Sequence, residues 1–203
     1  MLEAILHGFI LALGLILPLG VQNVFVFNQG ATQSQFSRAL PVIITASICD
    51  TLLISLAVLG VSMVVLEYEW LKTALLSSGI CFLLYMGFVT WRSKPMMDQQ
   101  DDKGSFSAKR QIVFAMSVSL LNPHAILDTV GVIGTSSLTY LGVEKIAFAV
   151  SCILVSWVWF GGLGIVGRMS GKLDKSGRFL FILNRISAIV MWGTAGFIGF
   201  KLI

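Results

Sequence analysis

Leu17-Pro18-Leu19-Gly20-Val21-Gln22-Asn23 (residues 17–23) falls inside an apolar run that extends from about Glu3 to Phe27. Proline lacks an N–H donor and disfavours helix in the residue before it, so a helix running through this string is expected to break. A second string of the same kind, Leu121-Asn122-Pro123-His124-Ala125, interrupts the apolar run from about Gln111 to Tyr140. There, Asn followed by Pro suits an N-cap and first helical position. A proline kink filled by neighbouring helices is the plainer reading of either string alone. Two strings in matching positions, flanked by Gln22, Asn23, Asn122 and His124, point beyond packing. Pro18, Gly20 and Pro123 are therefore taken as helix-break residues, and each break would leave a half-helix N-terminus whose free N–H groups suit an anion.

Working outward, the chain is apolar almost throughout. Its 203 residues are 56% hydrophobic and 12% charged, with a mean hydropathy of +0.89, whereas soluble domains carry about a quarter charged residues. Apolar runs fall at about Glu3 to Phe27, Arg38 to Leu66, Trp70 to Trp91, Gln111 to Tyr140, Lys145 to Val166 and Phe179 to Leu202. Crossing a bilayer takes about 20 residues, and in lipid such a segment must be helical because each backbone polar group needs a partner within it. The predicted fold is an all-α membrane protein with six transmembrane helices, the first and fourth discontinuous. The first run lacks a basic n-region and an Ala-x-Ala site and is longer than a signal-peptide core, so it is read as retained and spanning. Cys49, Cys81 and Cys152 stand apart in apolar segments and are expected to pack as small buried residues. Neither a cofactor nor a metal site is expected.

The net charge of +4 would suggest nucleic acid in a soluble protein. Here the basic residues sit in short loops, where they set orientation rather than bind nucleic acid. With the N-terminus outside, Arg38, Arg92, Lys94, Lys103, Lys109, Arg110, Arg168, Lys172, Lys175 and Arg178 face the cytoplasm, ten of the 14 basic residues. Both termini are therefore predicted outside the cytoplasmic (inner) membrane, with Arg185 snorkelling back to the cytoplasmic interface. The polar stretch 93–109 reads as a cytoplasmic linker between a three-helix unit at 1–92 and another at 110–203. Three is odd, so two such repeats sharing a fold would be inverted relative to each other, a plan common in secondary transporters.

Two acids lie in apolar runs. Asp50 falls about 12 residues into the second run, close to the bilayer midplane at about 1.5 Å per residue. Asp128 lies further along the fourth run, toward the outer side. A carboxylate in a spanning helix costs about 2.5–3.5 kcal/mol, which makes each acid a candidate for holding a cation or carrying a proton. His124 and Asp128 are four apart, on one helix face, and could equally satisfy each other by a hydrogen bond. Glycines at 131, 134, 161, 162, 164, 167, 193, 196 and 199 are expected to allow close helix packing. Trp157, Trp159 and Trp192 are expected to be packing or interfacial anchors.

The strings PLGVQNVFVFNQG (18–30), CDTLLIS (49–55) and LNPHAILDT (121–129) resemble those of the lysine/arginine exporter family, LysE type. The specific features are Gln-Asn-x5-Gln-Gly at 22–30 and Asn-Pro-His-x3-Asp at 122–128. The resemblance implies a six-helix inner-membrane exporter of L-lysine or L-arginine, driven by the membrane potential or by counter-transport of protons. It places the family's break residues on Pro18, Gln22, Asn23, Asn122 and Pro123 and its acids on Asp50 and Asp128. Val21 departs from the small residue or proline common at its position, and the Pro-Gly-Pro break of neutral amino acid exporters is absent. Together with the residue reading, this gives Gln22, Asn23, Asp50, Asn122, His124 and Asp128 as the expected substrate-binding set, with an amino acid and the lipid bilayer as partners. Monomer and homodimer are both left open.

Other readings compete. Two intramembrane aspartates could form an aspartyl protease dyad, but the expected Gly-x-Gly-Asp and Tyr-Asp strings are missing, and no enzyme is expected. Export of a neutral amino acid or a metal cation on the same scaffold is the nearer alternative, although the eight Met and three Cys form no soft-ligand cluster.

Overall fold

A computed structural model describes residues 1–17, 20–61, 69–92, 106–120, 122, 125–126, 128–173 and 178–202. Among these residues every regular element is helical. Helix α1 (Leu2–Ile16) is followed by α2 (Val21–Thr32), and a 3₁₀ turn (Phe36–Ala39) leads into α3 (Leu40–Leu56). At Ala57–Val61 the helix loosens into a π turn, where Gly60 has a φ of 104°, a conformation glycine adopts without steric cost. Next come α4 (Glu69–Arg92) and α5 (Ala108–Leu120), then a π-helical segment (Asp128–Gly134) with one further turn (Thr135–Ser137). Helices α6 (Gly142–Leu173) and α7 (Arg178–Leu202) complete the chain.

Phe36–Gly60 and Gly142–Lys172 are each long and apolar enough to cross a membrane, and α1 with α2 passes the same test as one span bent by 78°. The predicted break in the first run is thus present. Pro18, within it, lies outside the described residues, as do Pro123, His124 and most of the 93–109 linker, whose last residues, Ala108 and Lys109, already belong to α5. Large side chains on the outside are apolar, among them Leu59 at 80%, Leu141 at 84% and Phe200 at 83% exposure. Such a surface suits lipid, not water.

Helix α6 organises the bundle, packing along α1, α2 and α3, while α4 packs on α7 and α3 on α5. The α2–α6 contact is backbone to backbone. A methyl placed on Gly30 would overlap the carbonyl of Gly164, one on Gly167 would overlap that of Phe27, and one on Gly171 that of Ala31. Close approach through small residues is how helices associate when lipid removes the hydrophobic drive. The expectation for the glycines holds at 164 and 167 but not at 131, 161, 162, 193 or 196, where a methyl would meet open space. Cys49 and Cys152 are buried as expected, whereas Cys81 is exposed.

At the end of the bundle that carries the basic loops, polar side chains close the packing. Arg168 donates from its guanidinium to the carbonyls of Gln33 and Ser34, just past α2, where a cation meets the negative end of the helix dipole. Gln33 donates to Gln29 Oε1 (3.0 Å) and to the Phe106 carbonyl (3.1 Å). Gln111 Nε2 donates to that same carbonyl and to the Arg38 carbonyl, both at 2.9 Å. Nearby, the Phe25 and Phe114 rings stand 4.2 Å apart. Arg185 stacks on Trp91, 3.7 Å from the ring centre, at the same end of α4 as Arg92.

Candidate functional site: a polar cavity at two helix breaks

Helix α2 begins in mid-bundle because Gly20 is extended (φ −75°, ψ 173°). Its carbonyl takes the first helical hydrogen bond from Val24 N–H at 3.1 Å. The second string behaves alike: α5 ends at Leu120, and the Asn122 carbonyl accepts from Ile126 N–H at 3.1 Å. Asn122 thus occupies the N-cap position read from the sequence. Both breaks open onto one cavity of about 160 Å³.

Gly20, Gln22, Asn23, Asp50, Asn122 and Asp128 all line this cavity, joined by Thr129 and Ser156. Ile54, Leu83, Phe160 and Met191 supply apolar walls. Of the expected binding set, the cavity therefore gathers Gln22, Asn23, Asp50, Asn122 and Asp128, and His124 lies outside the described residues. None of the described lining residues is Lys, Arg or His.

The polar groups are held from several helices. Asp50, on α3, accepts from Gln22 Nε2 through Oδ1 (3.1 Å) and from Ser156 Oγ through Oδ2 (3.0 Å). One residue on, Thr51 accepts from Trp157 Nε1 at 3.1 Å, tying α6 to α3 beside the carboxylate. Asn23 spans the first break. Its Nδ2 donates back to the Ile16 carbonyl at the end of α1 (2.7 Å), and its Oδ1 accepts from Trp159 Nε1 (3.2 Å). Asp128 lies in the π-helical segment, a widened turn of the kind that often marks functional positions. Against α1, α2 and α6 lies a second, larger hollow of about 720 Å³ with apolar walls, and Asn23 and Trp159 line it. Asn23 therefore stands in the partition between the two spaces.

Sequence reasoning did not find Ser156 or the Trp159–Asn23 bond, and it read the tryptophans only as packing or interfacial anchors. A single hydroxyl in an apolar helix is too common to single out. The one available signal was the i, i+3 spacing of Ser156 and Trp159, which places both on one face of α6.

An apolar helical shell around a small acidic cavity, reached by two interrupted helices, is the construction of a membrane transporter. The family model described as LysE type translocator matches residues 13–201. The chain belongs to that family, and it is a transporter, not an enzyme. It is 57% identical over 201 residues to the "Putative amino-acid transporter YisU" of Bacillus subtilis (strain 168), covering 99% of this chain and 91% of that protein. It is 30% identical over 197 residues to the arginine exporter protein ArgO of Salmonella typhimurium (strain LT2), covering 95% and 91% respectively. The same figures hold for the arginine exporter protein ArgO of Salmonella paratyphi A. No solved structure matches the chain.

Proposed function

We propose that the protein exports a basic amino acid, L-arginine or L-lysine, across the cytoplasmic membrane by alternating access. One observation carries this reading: two carboxylates, Asp50 and Asp128, line a single small cavity among amides, with no cationic side chain among the described lining residues. A cation about 4 Å from a carboxylate gains about 4 kcal/mol at an effective dielectric constant of about 20. That is comparable to the cost of keeping an aspartate in the membrane, so a cationic side chain offsets it and a neutral one does not. The names of the ArgO relatives point the same way.

In this mechanism the α-carboxylate of the substrate meets the half-helix N-termini at Gly20–Asn23 and after Asn122, where N–H groups precede the helical ladder. Gln22, Asn23, Asn122 and His124 orient its backbone groups, and Asp50 or Asp128 pairs with its side chain. Residues 1–92 and 110–203 act as two inverted three-helix repeats that rock about the site, joined by the 93–109 linker. Supporting the repeat, α1 and α2 pack on α6 while α5 packs on α3, the matched pair of contacts that a two-fold axis between the halves would generate. The distribution of Lys and Arg supports both termini outside.

Reconstitution in liposomes tests the proposal. Labelled arginine or lysine should leave vesicles holding the wild type, and Asp50→Asn and Asp128→Asn should each slow that efflux. Unchanged efflux in both variants would remove the acids from the mechanism, while transport of a neutral amino acid or a metal cation instead would overturn the substrate assignment. Imposed voltage and proton gradients separate the two modes of drive.

A further inference from the structure

Asp50 can pair with a cation in more than one way, and the way depends on how its carboxylate plane is held. Ser156 is buried, at 3% exposure, on α6, and it holds one carboxylate oxygen while Gln22 on α2 holds the other. Turning the plane about χ2, a soft torsion for aspartate, would break at least one of these bonds. Each oxygen keeps a further acceptor site for a ligand.

We infer that Ser156 is a positioning residue that sets cation preference, holding the Asp50 carboxylate in the plane that a guanidinium fork requires. The inference rests on the proposed export of basic amino acids and adds what discriminates between them. A guanidinium is flat and bonds two carboxylate oxygens in parallel, so it needs the plane fixed. An ammonium is a compact point charge with rotatable donors and tolerates a turned carboxylate. Loss of the Ser156 hydroxyl therefore weakens arginine recognition more than lysine recognition.

The test measures KM and maximal rate for labelled arginine and lysine in proteoliposomes carrying wild type, Ser156→Ala, Ser156→Cys or Ser156→Thr. In Ser156→Ala the KM for arginine should rise about tenfold, the effect of one lost hydrogen bond to a charged group, with lysine changing by less than about twofold. Ser156→Cys, which nearly conserves volume but donates weakly, should follow Ser156→Ala, and Ser156→Thr, which keeps the hydroxyl, should restore the wild-type ratio. Equal shifts for both substrates, or a fall in maximal rate with the KM ratio unchanged, would reduce Ser156 to packing and overturn the inference while leaving the proposed function intact. A wild type that carries neither substrate would overturn the proposed function and this inference with it.

Discussion

The two interrupted segments differ in how deeply their described residues are buried. After the first break, α2 is buried on nearly every face, with Val21 to Phe27, Gln29 and Gly30 all inside. Each of its polar side chains has a partner within the protein: Gln22 on Asp50, Asn23 on Ile16 and Trp159, Asn28 on Asn184, and Gln29 on Gln33. After the second break, Ala125 and Ile126 are helical, and the π-helical segment further on has Val130, Ile133 and Gly134 buried, while Asp128 and Thr129 are only partly covered and line the cavity. Partnered buried amides rigidify a site, although Asn28 Oδ1 is left without a hydrogen-bond partner among the described residues. On the proposed function, the first break is the frame of the site and the second the wall that meets the substrate.

The sharpest way to break this contrast is at the acids. Asp50 belongs to the frame, bonded from α2 and α6 at once, so Asp50→Asn should cut arginine efflux by about a hundredfold or more, the loss of a close charge pair worth several kcal/mol. Asp128→Asn should cut it less. Efflux rates in proteoliposomes that ranked the two variants the other way would reverse the assignment of frame and wall.

Backbone packing comes next. Gly167→Leu would drive a side chain into the Phe27 carbonyl and should lower stability by about 1–3 kcal/mol or more, seen as a lower melting temperature in detergent and reduced efflux. Gly162→Ala, on the same helix with open space around it, should leave both nearly unchanged.

Asn23→Ala should cost about 1–3 kcal/mol by stranding the Ile16 carbonyl and the Trp159 indole. Trp159→Phe, which removes one bond and keeps the Ile16 bond, should cost less in the same melting experiment. The smallest effect is expected for Arg168→Gln at the far end of α2, about 0.3–1 kcal/mol for a charge at an accessible helix terminus.

The breaks were legible in the sequence because Pro and Gly act locally. Pro18-Leu19-Gly20 weakens a helix through local backbone chemistry, and Asn122 announces an N-cap by chemistry that needs no tertiary partner. Asp50 was legible by its cost, since an acid in an apolar run demands an explanation. What could not be read was which helix faces which. The seating of α6 against α2 depends on Gly30, Gly164, Gly167 and Gly171 meeting in space, and the sequence offered equally plausible glycines at 161, 162, 193 and 196 that meet nothing within contact distance. Ser156 and Trp159 became visible only through that seating, because a donor has no identity as a site residue until its acceptor is placed.

The central claim, that both breaks and both acids surround a single cation-binding cavity, is tested most directly by substrate protection of a cysteine at its wall. Thr129 lines the cavity, so Thr129→Cys, in a background with Cys49, Cys81 and Cys152 replaced, is labelled by a small thiol reagent in proteoliposomes with and without arginine. Arginine should slow the labelling, and the protection should vanish when Asp50→Asn is added from the other side of the cavity. Labelling at the same rate with and without arginine, or protection that survives Asp50→Asn undiminished, would contradict the account.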